Sequence, residues 1–268
     1  MQAETAPSRW VFIRGLVRES AHWDDFPERF VAGIPGTTVD LVDLPGNGRH
    51  CRIASPLSLN AAMEFARGEW QQLTVGRSDG FEPVLLFSIS LGSMVAIEWM
   101  DRHPEEIAGS VLINTSLRRL SPFHQRLNWR AWPEMIRVAL QRDVAARERG
   151  ILELTSALRA RREIDALVQS RVEIHREHPV AAANVVRQLV AAARYSPPSV
   201  KPLVPVLLLS SRGDRLADPG CTDALAAQWG LVPRIHPAAG HDLPLDDPDW
   251  TIRMVRDWLS EWRETGTS

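Results

Sequence analysis

Apolar residues gather in short runs that are bounded by turn residues. Five such runs, partly β-branched, predict strands at 9–15, 37–43, 83–89, 109–115 and 205–211, and a weaker sixth lies at 231–237. Near-continuous apolar strands of this kind are typical of a parallel sheet that is buried on both faces.

Between these runs, apolar residues recur at helical spacing. In 61–73 and in 251–262 they share one face of a predicted helix, and in the second segment charged residues lie mostly opposite. The apolar positions are Ala62, Ala66, Trp70 and Leu73, and then Ile252, Val255, Leu259 and Trp262. This alternation of strands and helices predicts an α/β fold with a doubly wound, mostly parallel sheet.

One long segment, residues 118–201, breaks the alternation because it contains several helical pieces and no convincing strand. A helical insertion between two parallel strands lies above the carboxyl edge of the sheet, where ligands bind in open α/β folds. The sequence therefore predicts a helical cap at 118–201 and a core formed by 1–117 and 202–268.

Composition narrows the class of protein. The chain has 268 residues, of which 44% are hydrophobic and 24% charged, with a formal net charge of −2. These values predict a soluble globular protein with neither a nucleic acid nor a membrane as partner. No apolar stretch approaches the roughly 18 residues of a membrane helix, and the first residues do not resemble a secretory signal.

Two further features of the composition concern the compartment and the source. Cys51 and Cys221 have no metal-ligand spacing, and we interpret them as ordinary thiols in a reducing compartment, which predicts a cytoplasmic protein. The sequence predicts neither a metal nor a cofactor. Lys201 is the one lysine among 31 basic residues, a bias that favours a GC-rich bacterial genome.

The stretch "LLFSISLGSMVA", residues 85–96, predicts a strand, a sharp turn at Ser90 and a helix. Such an elbow projects a serine hydroxyl above the sheet and needs small residues on either side. Gly92 is small, but Ser88 stands where the Gly-x-Ser-x-Gly motif has its first glycine. The elbow is compatible with Ser88 provided that this position does not need a backbone angle that only glycine adopts.

A serine nucleophile needs a base, and a base needs an acid that orients it. His241 follows Gly240 in a loop after the last predicted strand, and Asp214 ends the segment "PVLLLSSRGD". The chain order serine, aspartate, histidine is the order of α/β-hydrolases. Asp218 is the rival acid, whereas Asp242 is too near in sequence to reach the ring of His241.

Taken together, these segments resemble the α/β-hydrolase superfamily, in its capped esterase-like branch. The resemblance spans nearly the whole chain and rests on five motifs in the family's order. They are "VFIRGLVRESAHWDDF", "VDLPGNGRH", "SISLGSMVA", "SSRGDRLADP" and "AGHDLPLDDP". Five motifs in this order are far more specific than any single one.

The resemblance implies a role for each matched residue. Ser90 attacks the acyl carbon, His241 transfers the proton, and Asp214 orients and stabilises the imidazolium. The backbone N–H groups of Leu16 and Leu91 form the oxyanion hole. No metal is implied.

Arg14 departs from the family, which usually has a histidine before the oxyanion glycine. It either binds an internal carboxylate or faces the pocket and contacts an anionic substrate. Residues 118–201 contain fifteen arginines and Lys201 against eight acidic residues. Either this basic segment attracts an acidic core, or some of its arginines face the pocket and favour a carboxylate or phosphate on the substrate.

The function that follows is hydrolysis of a small-molecule carboxylic ester, thioester or lactone through an acyl-enzyme. A carbon–carbon bond hydrolase, an acyltransferase or a perhydrolase could use the same triad. A non-catalytic small-molecule receptor on the same fold is the alternative from another class.

Overall fold

The computed structural model describes residues 9–75, 82–157 and 161–265. They contain one six-stranded parallel sheet with the order β2-β1-β3-β4-β5-β6. The strands are β1 (Arg9–Ile13), β2 (Thr38–Val42), β3 (Val84–Ile89), β4 (Ile107–Ile113), β5 (Val206–Ser211) and β6 (Arg234–His236). Each strand overlaps one of the six apolar runs, so these predictions are confirmed.

Helices connect the strands and continue after β6. The α-helices are α1 (Phe26–Gly33), α2 (Leu59–Thr74), α3 (Leu91–Arg102), α4 (Phe123–Arg126), α5 (Trp132–Leu140), α6 (Val144–Thr155), α7 (Arg161–Glu177), α8 (Ala182–Arg194), α9 (Gly220–Trp229), α10 (Leu243–Asp246) and α11 (Pro248–Thr265). Short 3-10 helices span Ser20–Trp23, Gly48–His50, Pro104–Glu106 and Trp129–Ala131. The amphipathic segments 61–73 and 251–262 lie within α2 and α11, as predicted.

Successive side chains of a strand point to opposite faces of the sheet, and in this sheet both faces are buried. In β1, Trp10 and Phe12 pack into one apolar cluster, together with residues of α1 and α11. Val11 and Ile13 pack into a second cluster, together with residues of α2, α3 and α9. Helices therefore cover both faces of the sheet, which confirms the doubly wound fold.

Helices α4 to α8 lie between β4 and β5, and the described part of 118–201 contains no strand. We call residues 118–201 the helical insertion. It has a small apolar cluster of its own, formed by Leu152, Ile164 and Val168. The division into core and cap at these boundaries stays a prediction, and the ends of the predicted core, 1–8 and 266–268, lie outside the described residues.

Strands β1 and β3 are neighbours at the point where the strand order reverses, which is where open α/β sheets form their ligand crevice. The loop after β1 and the turn after β3 meet there, at the carboxyl edge. Within the described ranges, no helix combines the length and the hydropathy needed to cross a membrane.

Candidate active site

Ser90 lies in the turn between β3 and α3, in a backbone conformation that residues other than glycine rarely adopt. Its φ is 58° and its ψ is −119°. Its backbone N–H donates to the Ile113 carbonyl at 2.9 Å, which joins the turn to β4. Strained residues of this kind cluster at functional sites, where the surrounding structure holds them in place.

The two small residues near Ser90, Ser88 and Gly92, are small for different structural reasons. A Cβ on Gly92 would lie 2.5 Å from the Ile13 carbonyl oxygen and 2.7 Å from that of Arg14, so glycine is required there. Ser88 lies in β3, fully buried, and is absent from the residues with positive φ. Its hydroxyl donates to the Val111 carbonyl at 3.1 Å. The first motif position therefore does not need glycine in this chain.

His241 and Asp214 are in contact. Nδ1 of His241 lies 2.7 Å from Oδ2 of Asp214, and both side chains are buried. The other carboxylate oxygen of Asp214 accepts from the backbone N–H groups of Leu216 (2.8 Å) and Ala217 (2.9 Å). Asp218 instead accepts at 2.9 Å from the backbone N–H of Gly220, the first residue of α9. Of the two candidate acids, the structure brings Asp214 to the histidine.

Asn114, which the sequence analysis missed, fixes the histidine loop to the sheet. Its φ is 47°, its amide donates to the His241 carbonyl at 2.9 Å, and its carbonyl accepts from the Ser211 N–H at 3.0 Å. A polar residue directly after a buried strand, at the carboxyl edge of the sheet, was the available signal. Asn114 therefore connects the end of β4 to the loop that carries His241.

Arg14 forms a buried ion pair with Asp242, the residue after His241. Its two terminal nitrogens lie 3.1 and 2.5 Å from the carboxylate oxygens, and its guanidinium lies 4.5 Å from the centre of the Trp23 ring. Of the two orientations considered for Arg14, the structure shows the one towards an internal carboxylate. The proposed contact between Arg14 and substrate has no support in this geometry.

The charges around His241 set its protonation. Burial alone would lower the pKa of His241, but the Asp214 carboxylate outweighs burial and the pKa is raised above its usual value. Asp242 adds to this rise, and Arg14 opposes it. For Asp242, burial would raise the pKa, but Arg14 holds it below its usual value, so Asp242 stays ionised.

Four of the candidate residues, Leu16, Ser90, Leu91 and His241, line a cavity of about 100 Å³ between the core and the helical insertion. From the core, its lining includes Leu16, Ser90, Leu91, Met94, Leu216 and His241. From the insertion, its lining includes Phe123, Arg126, Leu127, Leu189, Ala192 and Ala193. The cavity is thus mostly apolar, with a few polar groups, as is usual for small-molecule sites.

The two candidate oxyanion donors belong to segments that adjoin Ser90, the first turn of α3 and the loop after β1. Leu91 is the first residue of α3, where backbone N–H groups have no partner within the helix. Leu16 follows Gly15, on which a Cβ would lie 3.0 Å from the Cβ of Ser90. Glycine at 15 therefore lets the loop after β1 approach the elbow closely enough to bring the Leu16 backbone near Ser90.

A group of potential metal ligands lies elsewhere, after α3. His103, Glu105 and Glu106 bring one ligand atom each within 4.8 Å of one another. Glu106 already accepts from Arg67 and from the indole of Trp99. None of the three lines the cavity, so they have no connection to the candidate triad.

Comparison with known proteins identifies the fold family. A family model described as "Alpha/beta hydrolase family" matches residues 10–254. No curated protein sequence matches the chain.

Solved structures with the same fold span nearly the whole chain. The 2-hydroxy-6-oxo-6-phenylhexa-2,4-dienoate hydrolase of Rhodococcus sp. strain RHA1 has a TM-score of 0.73 and 17% identity, covering 95% of this chain and 91% of its own. The enol-lactonase of Burkholderia xenovorans LB400 has a TM-score of 0.71 and 16% identity, covering 97% and 94%. A malate-bound thermophilic esterase of Thermogutta terrifontis has a TM-score of 0.67 and 18% identity, covering 94% and 89%. At these identities the likeness concerns the fold.

Proposed function

The chain belongs to the alpha/beta hydrolase family, and from that premise we propose that it is a serine hydrolase of small-molecule carboxylic esters. Ser90 is the nucleophile, His241 the general base and acid, and Asp214 the acid that orients the imidazole. The backbone N–H groups of Leu16 and Leu91 are the oxyanion donors. No metal or cofactor takes part.

The observation that carries the proposal is the pairing of Asp214 with His241 beside a cavity that Ser90 also lines. The 2.7 Å contact occupies Nδ1 of His241, and both His241 and Ser90 border the same space. An ionised carboxylate only accepts hydrogen bonds, so Nδ1 carries the hydrogen and the other ring nitrogen, Nε2, is the base. The imidazole is therefore supplied with the tautomer that a serine nucleophile needs.

The reaction follows from these roles. Nε2 of His241 takes the proton from Ser90 Oγ as that oxygen attacks the acyl carbon, and the carbonyl oxygen becomes an oxyanion beside the N–H groups of Leu16 and Leu91. The intermediate collapses, and the leaving alkoxide takes the proton from His241. Water then attacks the acyl-enzyme while His241 accepts a proton from it. The second intermediate collapses, Ser90 Oγ takes this proton back from His241 as its bond to the acyl carbon breaks, and the carboxylic acid leaves.

Turnover of p-nitrophenyl butyrate tests the assignment. We expect Ser90→Ala to lower kcat by about 10⁴-fold or more, because a triad without its nucleophile keeps only the weak catalysis of the remaining site. Ser88→Gly is the matched control from the same elbow and should keep near-wild-type activity, since Ser88 is in extended backbone and does not line the cavity.

The outcomes separate the alternatives. Undiminished turnover by Ser90→Ala would refute the assignment. A wild-type protein that binds esters without turning them over, and whose Ser90 does not react with a fluorophosphonate, would be a receptor. Acyl transfer to added alcohols or peroxide in preference to water would indicate that the same triad serves another acceptor.

A further inference from the structure

Arg126 is the only arginine or lysine among the described residues that line the cavity. It ends helix α4, in the helical insertion, and shares the cavity with Ser90 and His241. No carboxylate of a described residue lines this space. The cavity therefore presents a positive charge within mostly apolar walls.

The segment that carries Arg126 is held against the loop of the candidate acid Asp214. The backbone N–H of Asp218 donates to the Gln125 carbonyl at 2.9 Å, and the N–H of Asn128 donates to the Leu216 carbonyl, also at 2.9 Å. The Ser116 hydroxyl donates to the Arg126 carbonyl at 3.2 Å. These bonds fix the backbone on both sides of Arg126 relative to the catalytic edge.

The guanidinium of Arg126 is incompletely paired. One terminal nitrogen donates to the Ala192 carbonyl at 2.8 Å. Its Nε is buried and has no hydrogen-bond partner, and the described part of the chain offers it no carboxylate within ion-pair distance. Burial lowers the pKa of Arg126, the neighbouring Cys221 opposes this change, and the positive charge of Arg118 adds to it. A charge that leaves water without a counter-charge is costly.

Two arginines that are more deeply buried than the half-buried Arg126 differ in this respect. Arg14 pairs with Asp242 and Arg171 pairs with Asp24, each through two hydrogen bonds. Both have a carboxylate within the protein and lie outside the cavity lining. Arg126 differs from both, because it lines the cavity and has no carboxylate partner among the described residues.

We infer that Arg126 binds a carboxylate carried by the substrate, and that the preferred substrates are esters with a free carboxylate at the end opposite the scissile bond. This inference rests on the proposed function, because it places the substrate's reacting carbonyl at Ser90. An arginine presents its N–H donors in a fork that matches a carboxylate. A phosphate dianion would need more donors than the single cation that lines this cavity. The apolar side chains of Leu127 and Leu189 border the space that the connecting chain would occupy.

A matched pair of substrates tests the inference. Mono-p-nitrophenyl adipate ends in a carboxylate, whereas p-nitrophenyl hexanoate has the same chain length and ends in a methyl group. The measured quantity is the ratio of their kcat/KM values after subtraction of spontaneous hydrolysis. We expect the ratio to fall about ten- to a hundredfold in Arg126→Leu, the effect of one hydrogen-bonded charged pair.

Two further variants guard against trivial explanations. Arg126→Gln removes the charge but keeps an amide that can donate to the Ala192 carbonyl, so it should lower the ratio even if Arg126→Leu folds poorly. Arg118→Leu is the matched control: Arg118 also donates to a carbonyl of α8, that of Arg194 at 3.3 Å, but it is exposed and does not line the cavity. Its ratio should equal that of the wild type.

The results distinguish this inference from the function on which it rests. An unchanged ratio in Arg126→Gln, or an equal fall in Arg118→Leu, would overturn the role of Arg126 while leaving ester hydrolysis intact. If the wild type turned over neither ester in a reaction that depends on Ser90, the proposed function itself would be overturned. A ratio that falls in both Arg126 variants and not in Arg118→Leu supports the inference.

Discussion

The two walls of the cavity are built in different ways. The core wall, which includes Ser90, Leu91 and His241, consists of residues at the carboxyl ends of strands, where the backbone itself sets the position of each side chain. The insertion wall, which includes Arg126 and Leu189, belongs to helices α4 and α8. Their positions depend on hydrogen bonds to parts of the core that are far away in the chain, through the backbone for α4 and through side chains for α8.

Helix α8 shows what holds the insertion wall. Gln188 is buried, its carbonyl accepts from the Val17 N–H at 3.0 Å, and its amide donates to Asn47 Oδ1 (3.0 Å) and Ser55 Oγ (3.1 Å). Asn184, one turn earlier, accepts from the Ser55 N–H at 2.9 Å. Two buried amides thus add specific polar contacts to the apolar packing of Ala191 against the core.

Ion pairs hold α6 and α7 to the loop after β1. Arg18 donates to Glu148 at 2.8 Å, and Arg171 forms two hydrogen bonds with Asp24. The arginines of the insertion are therefore not all alike, since Arg171 holds the insertion against the core and Arg126 faces the cavity. The two walls lead us to expect that changes in the core wall affect catalysis, and that changes in the insertion wall affect stability and substrate preference.

Asp214→Asn should have the largest effect, because Asp214 contacts His241, the proposed catalytic base of the core wall. An asparagine amide would donate to Nδ1 of His241 and leave the hydrogen on Nε2, so we expect kcat to fall by about 10⁴-fold with the fold retained. Asp218→Asn is the matched control and should be close to wild type, since Asp218 contacts the start of α9. Equal losses in both variants, measured by steady-state kinetics, would contradict the assignment of the acid.

Gly92→Ala tests the backbone packing beneath the elbow. The added Cβ would lie 2.5 Å from the Ile13 carbonyl oxygen, and we expect a loss of about 3 kcal/mol in the free energy of unfolding. Gly68→Ala in α2 meets no atom within 4 Å and should instead stabilise the protein by about 0.5–1 kcal/mol. Denaturant unfolding of the two variants measures both signs, and a stabilised Gly92→Ala would show that the elbow is not tightly packed.

Gln188→Ala tests the insertion wall. It leaves the Val17 N–H and Asn47 Oδ1 without their hydrogen bond to Gln188, so we expect the free energy of unfolding to fall by about 1–2 kcal/mol. Gln228→Ala is the control: its amide donates to Ser199 on the exposed surface, and its loss should change stability by less than about 0.5 kcal/mol. If both variants unfold at the same denaturant concentration, the buried amide contributes nothing to holding α8.

The pair formed by Arg14 and Asp242 lies behind the core wall and should give the smallest effect. As the proposed base, His241 must be neutral to act, so we expect kcat/KM to rise with pH through its raised pKa. Asp242→Asn removes a charge that raises this pKa, and the acid limb should move to lower pH. Arg14→Gln removes a charge that lowers it, and the limb should move to higher pH. Shifts in the same direction would refute this electrostatic account.

Much of the core was predictable from sequence because its information is local. Strands that are buried on both faces appear in the sequence as continuous apolar runs. The elbow appears as a glycine at position 92, because α3 passes close to the backbone of Ile13 and Arg14 there. The order of Ser90, Asp214 and His241 was likewise visible, because each follows a predicted strand.

The contacts that set the pocket were not predictable, because their partners are far apart in the chain. Arg14 and Asp242 are separated by 228 positions, and Val17 and Gln188 by 171. Whether Arg14 met a carboxylate or the pocket depended on the path of the histidine loop, which no local pattern records. The same holds for Arg126, one of fifteen arginines in the insertion until the structure placed it in the lining.

The most direct test of the central claim, that Ser90 is activated by His241 and Asp214, is peptide mapping by mass spectrometry after reaction with a fluorophosphonate. Activation depends on the adjacent base, so we expect one adduct, on the peptide that contains Ser90. The adduct should disappear in Ser90→Ala and form much more slowly in Asp214→Asn. An adduct on another serine, or labelling of Ser90→Ala at the wild-type rate, would contradict the claim.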